Sequence, residues 1–77
     1  MSIYKLNQLP EGKKGMVEKL LATGSMRRRL QDIGVIEGTT VECLQKSPFG
    51  DPIAYSIRGA AIALREEDSN CVLVHSS

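Results

Sequence analysis

Few side chains in this sequence are of types that do chemistry, and their spacing limits what each can do. Arg27-Arg28-Arg29 are three consecutive cations able to dock on an acidic protein surface or a nucleic-acid backbone. Phe49 is the one phenylalanine; it sits between Pro48 and Gly50 and is followed by Asp51-Pro52, a loop setting in which an exposed aromatic can anchor a contact or fold back as a plug. Asp51 is of the type that forms turns by bonding local backbone. His75 is the only histidine, close to the C-terminal residue and with no partner in view to orient it as a general base. Cys43 and Cys71 are too few and too far apart for the disulfide framework of a small secreted domain, and read as two reduced thiols. Gly12-Lys13-Lys14-Gly15 lacks the spacing of a phosphate-binding loop and precedes a strand rather than a helix. A metal site takes several histidine, cysteine or carboxylate ligands brought together, and no such set is visible. No catalytic residue, metal ligand or cofactor is therefore assigned.

The elements that position these residues follow from periodicity. Leu6 and Leu9 precede the turn signal Pro10-Glu11-Gly12. A strand is predicted over 15–21, its alternation blurred at Leu20-Leu21. Ser25 reads as a helix N-cap, because its hydroxyl can accept a free backbone N–H. Met26, Leu30 and Ile33 then form one apolar stripe on a short helix that stops at Gly34. At 100° per residue the three arginines spread over the polar side of that helix, either as a solvated face with one of them paired to Asp32, or as a docking patch. A strand over 39–46 points Val41 and Cys43 to one face, with Leu44 breaking the pattern on the other. After the loop 47–52, a strand over 53–58 places Ile53, Tyr55 and Ile57 together, with Tyr55 packing inward. Gly59 turns the chain into a strand over 60–64. A polar turn over 65–70, holding a single 3₁₀ turn, leads to a last strand over 71–74 with Val72 and Val74 matched.

Short strands joined by short turns predict a mainly β fold: an SH3-like five-stranded small barrel with one short α-helix inserted after the first strand. With 77 residues, 42% of them apolar, the chain is one domain, 1–77, with a core too small to frame a deep cleft. Its 10 basic and 9 acidic residues leave a net charge of +1, unlike the marked basic excess of a nucleic-acid coat or a polybasic membrane anchor. No aromatic platform accompanies the arginines. The N-terminal residues do not read as a signal peptide, and the longest apolar run is far too short to span a bilayer. The expectation is a soluble, cytoplasmic binding module that does not insert in the membrane.

Several segments carry a family resemblance. Arg29-Leu30-Gln31-Asp32-Ile33-Gly34-Val35-Ile36-Glu37-Gly38-Thr39 resembles the helix-and-turn signature of the FeoA family. Ser47-Pro48-Phe49-Gly50-Asp51-Pro52-Ile53 is similar to that family's proline-flanked loop. Ile62-Ala63-Leu64-Arg65, a polar turn and then Val72 and Val74 resemble its closing segment, and Leu6…Leu9-Pro10-Glu11-Gly12 its opening. Ser47 and Ser69 replace alanines common in the family, both small for small.

The resemblance implies a small cytosolic SH3-like domain that accompanies the bacterial ferrous iron transporter FeoB, a membrane protein with a cytosolic GTP-hydrolysing domain. It implies a non-enzymatic adaptor that binds the cytosolic part of FeoB and modulates transport. The contact is expected at the loop of Phe49 and Asp51, the helix arginines Arg27, Arg28 and Arg29, and the two further arginines Arg58 and Arg65. The alternative from another class is a small nucleic-acid-binding barrel using the helix arginines. Weak self-association through an exposed final strand is a further expectation.

Overall fold

Alternation of inward apolar and outward polar residues builds a single antiparallel sheet. The computed structural model describes residues 2–76. Its strands are β1 (Ile3–Lys5), β2 (Lys14–Leu20), β3 (Thr40–Lys46), β4 (Ile53–Ile57), β5 (Ala60–Leu64) and β6 (Val72–Ser76). A 3₁₀ turn, Leu6–Gln8, follows β1. Helix α1 (Gly24–Asp32) links β2 to β3, and a single-turn helix α2 (Glu66–Ser69) links β5 to β6. The strand order across the sheet is β1-β6-β2-β3-β4-β5.

The fold class is the expected mainly β one, with the strand count raised from five to six. The added strand is β1. Three residues are too few to display a period of two, so Ile3-Tyr4-Lys5 gave no strand signal. The helix follows the second strand rather than the first for the same reason. Where period-2 patterning blurs, the sheet bulges. The β2–β6 register shifts between Val17 and Lys19, which turns Leu20 inward (6% exposed) and leaves Leu21 outside at 50%. The β3–β4 register shifts between Cys43 and Gln45, and Leu44 lies outside at 41%.

The sheet curls about its inward face. Val17, Val41, Cys43, Tyr55, Ile57, Val72 and Val74 are all buried there, with Leu30 of α1 and Val35 after it. Met26 and Ile33, the rest of the predicted helical stripe, pack partly buried against this core. The curl is closed by the segment between β1 and β2. Leu6 and Leu9 are fully buried, and Tyr55 of β4 donates its hydroxyl to the Leu6 carbonyl at 3.3 Å, although three strands separate β4 from β1 in the sheet. Leu6 and Leu9, not Phe49, are thus the plug. Gly12 N–H to Cys43 O (2.7 Å) and Lys46 N–H to Glu11 Oε2 (2.6 Å) fasten the same segment to β3.

Two local expectations change. Ser25 is not the N-cap: Thr23 (φ −129°, ψ 167°) is still strand-like, and the chain turns into α1 at Gly24, before the serine. The final strand is not exposed. β6 pairs with β1 on one side and β2 on the other, so self-association through it has no free edge to use.

Candidate functional site

A four-residue helix gathers three of the seven predicted contact residues. Asp51 reaches across fifteen residues to accept the Glu66 backbone N–H on Oδ1 at 2.8 Å, satisfying a donor at the start of α2. This is not the local turn bond expected of it. Asp68, two residues further on, forms an ion pair with Arg29 of α1. The sequence reading assigned an arginine partner to Asp32 on the same helix; the partner is Asp68, 39 residues away, and the Arg29 guanidinium is directed off α1 to reach it. Arg65 immediately precedes α2 and is exposed. Arg29, Asp51 and Arg65 therefore converge around α2, and the loop of Phe49 leads directly into Asp51.

Phe49 projects from that loop with 93% of its surface exposed. Its N–H bonds Ser47 Oγ (3.3 Å), and Gly50 N–H bonds Ser47 O (2.8 Å), so the loop is internally held while its tip points outward. An open depression beside it is lined by Asn7, Lys46, Ile53 and Glu66 together with the loop itself.

The remaining arginines are not part of this group. Arg27 donates to the Leu20 carbonyl at 3.4 Å, which ties α1 to the end of β2. Arg28 has no hydrogen bond or ion pair among the described residues. Arg58 lies in the β4–β5 turn at the opposite end of β5 from Arg65. Its stem covers Gly34, where an added Cβ would stand 2.6 Å from Arg58 Cδ and where the backbone is at φ +103°. Sequence reasoning missed Asp68 and Glu66, because their roles are contacts between segments distant in the chain.

The titratable interior is inert. Burial pushes the Cys43 thiol above its ordinary value, only partly opposed by the cationic Lys46 nearby. Burial likewise raises Tyr55, reinforced by Cys43 and opposed by a hydrogen bond with Ser69. Cys71 is half-buried and donates its thiol to the Glu67 carbonyl at 3.4 Å. His75 is better held than its place in the sequence suggests. It lies in β6 across from Ile3 and Met16, with Nε2 3.4 Å from the Glu18 carboxylate and Nδ1 buried without a partner. Among the described residues no group of three His, Cys, Asp or Glu is placed to hold a metal ion. No described helix is long and apolar enough to cross a membrane.

A small curled sheet, closed by its own N-terminal segment and presenting a projecting aromatic beside cationic side chains, is an SH3-like module. Residues 4–76 match the FeoA domain, and the chain belongs to the FeoA family, which takes part in ferrous iron transport. The FeoA protein of Chlorobium tepidum superposes with a TM-score of 0.88 at 32% identity, covering 95% of this chain and 70% of that one. The zinc complex of Stenotrophomonas maltophilia FeoA, described as a procaryotic SH3 domain protein, superposes with a TM-score of 0.81 at 28% identity, over 92% of this chain and 88% of that one. A curated relative from Porphyromonas gingivalis, an Fe(2+) transport protein A/Fe(2+) transporter FeoB fusion protein, is 29% identical over 65 residues. That alignment covers 84% of this chain but spans only 8% of the length of the fusion protein.

Proposed function

We propose that this chain is a non-enzymatic, cytoplasmic accessory protein of ferrous iron uptake that docks on the cytosolic part of a FeoB transporter and modulates it. Phe49 carries the reading. A bulky aromatic left 93% exposed on an internally bonded loop adds nothing to this fold's core, and such side chains are what protein interfaces use as anchors. Arg65 and Lys46 supply cations on the neighbouring surface, which suits an acidic partner and speeds encounter. Asp51 holds the loop against α2 and so fixes the place from which Phe49 projects.

The Porphyromonas gingivalis fusion supports the choice of partner, since there an FeoA-like segment and a FeoB transporter share one chain. The suggestion that the Stenotrophomonas maltophilia protein acts as a bacterial ferrous iron transport activating factor supports modulation over catalysis. The test is a titration of fluorescently labelled protein with the soluble GTP-hydrolysing domain of FeoB and, separately, with the whole transporter in detergent. Saturable binding to either, weakened by Phe49→Ala, is the expected result. Absence of binding to both would sink the reading.

A further inference from the structure

The free edge of β5 is built to pair with a second copy of itself. Of the two edges of the sheet, β1 is short, at three residues, and ends on a lysine, as edges protected against pairing do. β5 has no such protection. Its sequence Ala-Ala-Ile-Ala-Leu carries no charge and no proline, and Ala60, Ala61 and Ala63 are exposed. Its partner on the inner side is β4 alone.

The hairpin register says which backbone groups are free. Arg58 (φ 52°) and Gly59 (φ 85°) form the two-residue turn, with Ile57 opposite Ala60. In a two-residue hairpin the flanking pair is hydrogen-bonded, and bonded and non-bonded pairs alternate from there. Ala60, Ile62 and Leu64 thus bond inward to β4, while the N–H and C=O of Ala61 and Ala63 point to solvent. No other backbone or side-chain group among the described residues takes them up.

We infer that two copies pair antiparallel along β5, about a two-fold axis through Ile62. This register sets the outward groups of Ala61 against those of Ala63 of the second copy, so donors and acceptors match in both directions. Ile62, half-buried in one chain, then faces Ile62 of the second copy in a non-bonded pair, the arrangement that brings side chains closest. The alanines let the backbones meet without obstruction. Charge also selects this register: Arg58 at one end of each strand comes toward Glu66 at the other end of its copy. Neither residue has an ion-pair partner within its own chain among the described residues. A strand partner of another kind would receive the backbone bonds but not this reciprocal match. The surface is small, so the dimer is weak, with a dissociation constant of about 0.1–1 mM.

Sedimentation velocity of the full chain from about 10 µM to about 1 mM tests this, a range bracketing the expected affinity. The wild type is expected to shift from monomer to dimer. Arg58→Glu and Glu66→Arg, each alone, place like charges at both ends of the pair and weaken association about tenfold. An equimolar mixture of the two variants restores it, because each end of the mixed dimer again pairs opposite charges. Amide exchange on the wild type gives a second readout: the Ala61 and Ala63 amides slow at high concentration, and the Ile62 amide does not change. A monomer throughout the range, a dimer indifferent to the charge reversals, or singly reversed variants that the mixture fails to restore would each overturn the proposal.

Discussion

Arg29 and Asp68 form the ion pair that joins the long helix to the short one, across 39 residues of chain. The carboxylate is the enclosed partner, its side chain 10% exposed, while the guanidinium is 60% exposed. An enclosed charge that loses its partner is costly, whereas an exposed one is merely rehydrated. Arg29→Ala is therefore expected to destabilise the fold by about 1–2 kcal/mol, allowing for solvent screening on the arginine side. Urea unfolding of Arg29→Ala, Asp68→Asn and the double variant will show whether the two act through one interaction, in which case the double variant is no worse than Arg29→Ala.

Gly34→Ala is expected to cost about 1–2 kcal/mol, since the backbone at φ +103° disfavours any Cβ and the new atom would strike the Arg58 stem at 2.6 Å. The pairing of this variant with Arg58→Ala separates the two causes. Thermal unfolding should show that truncating Arg58 recovers only part of the loss, because the backbone strain remains.

Tyr55→Phe removes the 3.3 Å bond to the Leu6 carbonyl, which keeps its 3.0 Å bond from the Leu9 N–H, so the loss is about 0.5–1 kcal/mol by urea titration. The same site sets an alkaline limit. Burial raises Tyr55 and Cys43 in the folded state, so the fold favours their protonated forms. That contribution is fully present below the unfolded values, about 8.5 for the thiol and 10 for the phenol, and is lost as pH rises beyond them toward the folded values. Stability should decline from about pH 9 upward, and less steeply in Tyr55→Phe above about pH 10.

The two cysteines should separate in reactivity. Cys71 is half-buried and Cys43 fully enclosed, so mass spectrometry after brief iodoacetamide treatment at neutral pH should show one addition, at Cys71. Two additions under native conditions would mean that the core opens readily.

Phe49→Ala should leave the unfolding transition unchanged within about 0.5 kcal/mol, because the side chain contributes no burial. Binding to the cytosolic part of FeoB should weaken about tenfold or more. Calorimetric unfolding and the binding titration, run on one preparation, check both halves.

Period and punctuation made five of the six strands and the helix legible with ends within two residues of those observed, because their inward residues alternate and most of their turns carry glycine or proline. β2 and β3 were legible despite their bulges, which explain why Leu20-Leu21 and Leu44 sit out of phase. β1 was too short to show a pattern. The interior place of β6 could not be read, since strand order is decided by tertiary pairing. Of the contact residues, the exposure of Phe49 fits one of the two readings open to a loop aromatic. The Asp51–Glu66 bond and the Arg29–Asp68 pair were invisible, because each joins segments that only the finished fold brings together.

The placement of β6 governs how the chain acquires its shape. β1 precedes every other strand in the chain, yet it must wait for residues 72–76 before its one ladder can form, whereas β2 can pair with β3 before β6 covers its other edge. The β2–β3, β3–β4 and β4–β5 ladders can assemble first, while β1 stays unpaired until β6 is in place. Docking of β6 is therefore the closing step of the sheet, and a chain in which it is undocked would leave the interior around Val17 open to chaperones.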